Sequence, residues 1–354
     1  MNKPTTILFD AERMKYPNTG LFYFCKQLAQ SLITKAPEAN AQVQLFLPSN
    51  QQQQFSGDTK ILPIQFWYKY HLPVFKQIDI WHTTSQDSAY FPFHFKKPIV
   101  FTIHDLNYYH DERKSMAKRN NWLKQLQKKV DASSHIVFIS EYTAKDVQAH
   151  IKLKGKPFSI IYNGCNFNET SLPTIPIHAP KEPYIFSIGT IALKKNFHVL
   201  PALLANNQMQ LVIAGITQQP QYLEQIISEA KKWGVENRLI FTGAISENDK
   251  QWYYANCNAF VFPSLSEGFG LPLVEAMHFG KPIFISNATS LPEIAGDAAY
   301  IFPDFDPQHM QAMLEAGMKD FTANNRAEKV MARAALFNWD EAAQAYLNIY
   351  QQLA

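Results

Sequence analysis

Cysteine is scarce in this chain and long apolar runs are missing, and each absence narrows what the protein can be. Its three cysteines, Cys25, Cys165 and Cys257, are scattered without a Cys-x-x-Cys spacing, which argues against a disulfide framework or a structural zinc site. They read as reduced packing residues. The N-terminal stretch MNKPTTILFDAERM holds only Ile7, Leu8 and Phe9 before charges begin, too short a run for a signal peptide or a membrane span. A cytoplasmic location is therefore expected. Internal repeats and nucleic-acid reader motifs are also missing, and no Asp-x-Asp metal motif stands in a strand-end loop of the second half. Asp304-Phe-Asp306 has that spacing, but beside Pro303 and Pro307 it reads as a turn.

What is present suits a folded protein of two parts. A chain of 354 residues, 46% hydrophobic and 18% charged, exceeds what one core usually organises and can bury two. The net charge of +3 is divided unevenly: residues 1–175 carry 21 Lys+Arg and 13 Asp+Glu, residues 176–354 carry 12 and 17. A basic first half suits an anionic acceptor or a phospholipid surface. Nucleic acid is not expected, because the basic residues between Lys114 and Lys129 sit at helical spacing among Trp122, Leu123, Leu126 and Val130, which describes a solvated helix face or one drawn to a membrane surface.

Short apolar runs alternate with helical stretches. In the first half they are Thr6–Phe9, Val43–Leu47, Ile78–His82, Ile99–Ile103, Ile136–Ile139 and Ser159–Tyr162; in the second, Tyr184–Ile188, Gln210–Ala214, Leu239–Thr242, Ala259–Pro263, Pro282–Ser286 and Ala299–Phe302. Such runs predict buried parallel strands, with helices at Leu21–Ile33, Lys118–Ala132 and Gln221–Trp233 between them. NETSLPTIPIHAPKEP, rich in proline and polar residues, reads as a linker. The expected domains are 1–170 and 171–338, with the amphipathic stretch 339–354 returning to pack on the first.

Two segments carry the chemistry. Phe262 to Gly280 reads as a strand end, a glycine-containing loop and a helix opened by Pro272 and closed by Gly280. Gly268 and Gly270 permit close approach of a ligand, and with Phe269, Leu271 and the helix N-terminus they make a surface for a diphosphate. Glu267 and Glu275 are candidates to accept hydrogen bonds from sugar and ribose hydroxyls; the alternative is a helix cap and a solvated helix residue. The second segment, Ser187-Ile-Gly-Thr-Ile-Ala-Leu-Lys-Lys-Asn196, opens from a buried strand into a loop with two cations. Lys194 and Lys195 are candidates to stabilise the charge that grows on a departing diphosphate, a task a metal ion performs elsewhere; ordinary exposed loop lysines are the alternative.

These segments resemble the retaining glycosyltransferases of family 4. Ser187–Asn196 is similar to the family's Gly-Thr...Arg/Lys-Lys-Asn phosphate loop, Glu267–Glu275 to its Glu-x7-Glu signature, and Ser290-Leu-Pro-Glu-Ile-Ala-Gly-Asp-Ala-Ala299 to the segment that follows. The match is looser in the first half: Thr102-Ile-His-Asp-Leu106, Ile139-Ser-Glu-Tyr-Thr143 and Asn163-Gly164. The resemblance implies a GT-B fold, two Rossmann-like doubly wound α/β domains facing across a cleft, the first binding acceptor and the second a nucleotide-sugar donor. It implies retaining transfer of a hexose-type sugar to a saccharide or lipid-linked saccharide in bacterial surface polysaccharide or lipopolysaccharide synthesis. No metal or other cofactor is implied, and peripheral contact with the inner membrane surface is expected. Lys194, Lys195, Glu267 and His104 would be catalytic, and Gly189, Thr190, Asn196, Gly268, Phe269, Gly270, Leu271 and Glu275 would bind donor. Gly20, Asp105, Ser140, Glu141 and Thr143 would line the acceptor side. Lys194 stands where many relatives have arginine, which replaces a bidentate fork by a point charge. The loop Tyr16–Gly20 has one glycine, unlike glycogen-synthase-like relatives. Rival readings are a sugar-nucleotide epimerase, a phosphorylase, or a silent binding protein on the same architecture.

Overall fold

The apolar runs do form strands, and their order in the two sheets is the feature that positions everything else. A computed structural model describes residues 3–17, 19–73, 75–165 and 174–354; the expected boundary at 170/171 lies outside them. The chain divides into one unit of residues 1–164 with 338–354 and a second of residues 165–337.

In the first unit the strands are β1 (Thr5–Asp10), β2 (Ala41–Leu47), β3 (Lys60–Pro63), β4 (Ile80–Thr83), β5 (Ile99–Ile103), β6 (His135–Phe138) and β7 (Phe158–Ile160). They pair in parallel in the order β3-β2-β1-β4-β5-β6-β7. The sequence reading passes over β3. Its residues are exposed or half-buried at the sheet edge, so no continuous apolar run marks it. Central strands β4, β5 and β6 are buried throughout, as both-face coverage of a parallel sheet requires. Leu126 and Val130, a turn apart on the helix Met116–Ala132, seat it on a core that includes Phe101 and Phe138.

The closing helix, Trp339–Leu353, is capped by Asn338 and buries Ala342, Ala343, Tyr346, Leu347 and Tyr350 against the helix Gly20–Lys35 and the sheet. Each large side chain so buried contributes roughly 1.5–3 kcal/mol. The phenols are also hydrogen-bonded: Tyr346 Oη lies 2.9 Å from Thr102 Oγ1, and Tyr350 Oη 2.6 Å from His82 Nδ1.

The second unit repeats the plan with β8 (Tyr184–Ile188), β9 (Gln210–Ala214), β10 (Leu239–Gly243), β11 (Ala259–Phe262), β12 (Ile283–Ser286) and β13 (Tyr300–Phe302). Their order is β10-β9-β8-β11-β12-β13, again all parallel. Asp306 caps the helix Pro307–Ala323 and Asp304 Oδ1 accepts from Asp306 N–H at 2.9 Å, so Asp304-Phe-Asp306 is a capped turn. In a doubly wound sheet the ligand crevice lies at the carboxyl ends of the two strands where the winding reverses. Those strands are β1 and β4 in the first unit, β8 and β11 in the second.

Candidate active site

At the β8/β11 reversal two strand-end loops are tied together by one carbonyl. Lys194 O accepts from Leu265 N–H at 2.8 Å and from Ser264 Oγ at 3.2 Å. Because that backbone is anchored, the two lysines separate. Lys194 projects into solvent. Lys195 turns inward, its side chain 10% exposed, with Nζ 2.5 Å from Glu267 Oε1 and 4.9 Å from the centre of the Phe262 ring. Gly189 makes room for this: a Cβ there would lie 2.9 Å from Lys195 Cε, so the end of the lysine would have to shift.

Glu267 is held at every polar atom of its backbone and at its carboxylate. Its N–H donates to Thr289 Oγ1 at 3.0 Å, its carbonyl accepts from Ser290 Oγ at 3.0 Å, and Oε1 also accepts from Ser264 Oγ at 2.6 Å. Burial pulls the carboxyl upward, but Lys195, Lys194 and Ser264 outweigh it and hold the group below its ordinary value. Burial also pulls Lys195 downward, and with Lys194 alongside, the attraction of Glu267 does not restore it to the ordinary lysine value. The pair cancels its own charge, leaving Lys194, among the described residues, as an excess cation beside it. Lys195 keeps N–H donors beyond the one given to Glu267, since an ammonium has three.

The helix Leu271–His278 starts beside this pair. Gly270 caps it in the left-handed region at φ 96°, with Leu291 Cδ2 only 2.7 Å from where a Cβ would sit. Leu271 is half-buried at the first position, and Phe269 is buried with its ring edge-on to Phe337 at 5.6 Å. The Phe269 side chain is thus part of the packing, and what it offers a ligand is backbone. Gly268 and Thr190 lie in the same two loops, Thr190 half-buried. Asn196, in the left-handed region at φ 56°, is buried with Nδ2 lacking a hydrogen-bond partner.

Glu275 is more engaged than its sequence position suggests. Oε1 accepts from Lys250 Nζ at 2.7 Å and Oε2 from Tyr254 Oη at 2.8 Å. Lys250 also lies 3.0 Å from Glu247 Oε2. Burial opposes the Lys250 charge, yet Glu275 and Glu247 together raise its pKa above the ordinary value. Lys250 and Tyr254 escaped the sequence reading. The available signal was their i,i+4 spacing on one helix, which puts an ammonium and a phenol on a single face.

The first unit places its predicted residues, Gly20 excepted, around the end of β5 and the helix Glu141–His150. Ser140 caps that helix, accepting from Thr143 N–H at 3.0 Å and donating to Thr143 Oγ1 at 2.9 Å. Thr143 Oγ1 in turn donates to His104 O at 3.0 Å. His104 is buried, Nε2 donates to Thr84 O at 2.7 Å, and its ring meets Phe24 edge-on. Burial takes its pKa down to about 4, so the imidazole is neutral with Nδ1 as acceptor. Asp105 Oδ1 accepts from Asn107 N–H at 2.9 Å. Glu141 is exposed, 3.6 Å from Lys145, and Gly20 is exposed at a helix start capped by Thr19.

The β1/β4 reversal carries polar residues that the sequence reading missed. Asp10 is fully buried, accepting from Ser88 Oγ at 2.6 Å and Glu12 N–H at 3.0 Å. Burial and then Glu12 raise its pKa to about 7. Glu12 pairs with Lys15 and Arg13. Lys129, expected on a helix face that is solvated or drawn to a membrane surface, instead donates to Gln86 O at 2.8 Å and Ser88 O at 2.9 Å. Isolated acids at strand ends have no local pattern, and only the strand order identifies them.

Comparison with known proteins agrees with this architecture. The profile described as Glycosyl transferases group 1 matches residues 171–335, and that of Glycosyltransferase Family 4 matches residues 33–169. The serotype-specific mannosyltransferase WbdA of Escherichia coli is 34% identical over 182 residues, 49% of this chain and 22% of that protein. The chain thus aligns with about a fifth of that relative. O-antigen chain mannosyltransferase B of Escherichia coli is 25% identical over 72% of this chain and 70% of its own. Among solved structures, sucrose-phosphate synthase from Thermosynechococcus elongatus superposes with a TM-score of 0.77 at 20% identity, covering 99% of each chain. The two profiles together span most of the sequence, and the chain belongs to glycosyltransferase family 4, with the GT-B fold.

Proposed function

We propose that this protein is a retaining glycosyltransferase that moves a hexose, mannose first among the candidates, from a nucleoside-diphosphate donor to a saccharide or lipid-linked saccharide acceptor. The second unit binds the donor and the first the acceptor. The observation that carries this reading is the buried Lys195–Glu267 pair beside exposed Lys194 at the β8/β11 reversal. The mannosyltransferase names of two relatives favour mannose and a bacterial surface polysaccharide.

In this mechanism the acceptor hydroxyl attacks the anomeric carbon from the face the diphosphate leaves. The carbon–phosphate oxygen bond breaks as the new glycosidic bond forms, and a departing phosphate oxygen takes the hydroxyl proton. Lys194, the remaining Lys195 donors and the N–H groups at the helix Leu271–His278 stabilise the charge on the leaving group. No metal ion is needed at the diphosphate. Glu267 holds the sugar and orients Lys195. Glu275 has lone pairs beyond those used by Lys250 and Tyr254 and accepts from the ribose diol. Asn196 Nδ2, buried without a partner, is a further donor for the phosphate.

A peripheral contact with an anionic membrane is part of the proposal. Phe66 and Tyr70 are 73% and 79% exposed, Trp67 and Phe93 about half; Tyr70 and Phe93 line a groove of the first unit that Lys69, Lys76 and Lys96 also border. Exposed aromatic rings among lysines suit an interface of headgroups. Among the described residues no helix is long and apolar enough to cross a membrane.

The test is product formation by the purified chain from GDP-mannose, UDP-hexoses or GDP-fucose with a mannose-containing acceptor, in excess chelator. Acceptor-dependent product with the donor's anomeric configuration is expected. Product that needs free phosphate, or a changed sugar nucleotide without acceptor, would replace this reading by a phosphorylase or an epimerase. Absence of turnover with every donor that binds would leave a binding protein.

A further inference from the structure

A cluster in the first unit lies outside everything described so far. His110 closes the short helix Asn107–His110, and Asp146 and His150 sit four residues apart on the helix Glu141–His150, on one face. His110 Nε2 is 2.9 Å from both carboxylate oxygens of Asp146, and His150 Nε2 is 3.8 Å from Asp146 Oδ1. One ligand atom from each of the three lies within 4.8 Å of the others.

We propose that His110, Asp146 and His150 form a binding site for a divalent transition-metal ion, zinc being the foremost fit. A tetrahedral zinc ion with bonds of about 2.0–2.2 Å holds its ligand atoms ~3.3 Å apart; the two His–Asp separations of 2.9 and 3.8 Å bracket that value, and the third lies within 4.8 Å. Two imidazoles and one carboxylate select zinc, cobalt, nickel or copper over magnesium and calcium, which prefer oxygen. The site is reachable: the Asp146 side chain is 12% exposed, His150 29% and His110 43%, so water can complete the coordination. Tyr109 packs its ring on His150 at 4.6 Å, which fixes one ligand's orientation.

The ion would act as a cross-link, with water at its remaining position. It would clamp the helix Asn107–His110, which directly follows the His104-Asp105 loop, to the helix whose Thr143 holds the His104 carbonyl. It belongs to the first unit and the diphosphate loops to the second, so it takes no part in the proposed leaving-group chemistry. Sequence reading missed it because His110 is 36 residues from Asp146 and only the fold joins them.

The experiment uses the full chain without an affinity tag, stripped of metal and titrated with zinc against a fluorescent chelator, with cobalt absorption reporting the ligand set. One zinc per chain is expected, with a rise in melting temperature. His110→Ala and His150→Ala should each weaken binding at least about tenfold, Asp146→Asn should weaken it while keeping the side chain's shape, and exposed His94→Ala should not change it. Metal-free melting curves of the variants show whether each is folded. Zinc held equally by the His110→Ala/His150→Ala double variant, or no zinc retained by the wild type at micromolar free ion, would overturn the site.

Discussion

The two units share one topology and differ in what their reversal points hold. The second puts a lysine–glutamate pair and an exposed lysine at the ends of β8 and β11. The first puts a buried aspartic acid, an ion-paired glutamate and an inward lysine at the ends of β1 and β4. The scaffold therefore decides where polar groups gather, and the loops decide their charge. A site with an excess cation suits a diphosphate. A site with its acids buried and internally paired suits neutral hydroxyls.

The largest test of that contrast separates adjacent lysines. Lys195→Ala leaves Glu267 buried without its partner, so denaturant melts should show a loss of about 3–5 kcal/mol, and transfer should fall by about 10²–10³-fold. Lys194→Ala removes only an exposed charge: stability should stay within about 0.5 kcal/mol while kcat/KM falls by about tenfold or more. Equal loss of stability in both would erase the distinction between anchor and free cation.

Acid should break the units apart in order. In the first unit burial depresses the pKa of His82 to about 3 and of His104 to about 4. A base whose folded pKa is lowered gives stability that is full above the unfolded value near 6.5 and is lost as pH falls toward the folded value. Asp10, raised to about 7, acts oppositely: its burial destabilises as pH rises from near 4 to 7. Two histidines outweigh one aspartic acid between pH 6.5 and 4. In the second unit His198 is only half-buried and lowered by burial, and Glu267, with a lowered pKa, loses its contribution only below its ordinary value of 4.5. Hydrogen exchange at pH 5 against pH 7 should show β4 and β5 opening before β8 and β11. Asp10→Asn should make the first unit's loss steeper.

Smaller in effect is the Glu275 network. Tyr254→Phe removes one of two donors to the carboxylate, and donor KM should rise by about three- to tenfold with kcat little changed, about 1 kcal/mol of binding. A fall in kcat alone would place Glu275 at the reacting centre instead.

How far the sequence announced all this differs between the units for physical reasons. Strands β4, β5, β6, β8 and β11 were readable because both faces are buried and apolar residues fill most positions, β4 continuing the apolar run that starts at Ile78. Edge strand β3, half-exposed from Lys60 to Pro63, gave no such run. Gly189, Lys194, Lys195, Glu267 and Gly270 could be singled out as candidates because each lies in a loop contiguous with its strand end or helix start in sequence. Asp10, Ser88 and Lys129 were not, since the strand order alone brings them together. Lys250 shows the same limit: its partner Glu275 is 25 residues away.

The smallest expected effect probes what the first unit has and the second lacks, a helix contributed from the chain's far end. Tyr346 joins Thr102 across 244 residues at 2.9 Å, and Thr102 also bonds His82 Nε2 at 2.8 Å. Tyr346→Phe keeps the ring's packing but leaves Thr102 with one partner fewer, so denaturant melts should show a loss of about 1 kcal/mol confined to the first unit. Ala343→Asp, by contrast, would bury a charge on the same helix face and should release the helix from β5. If Tyr346→Phe were neutral and Ala343→Asp severe, the helix is held by its apolar face alone.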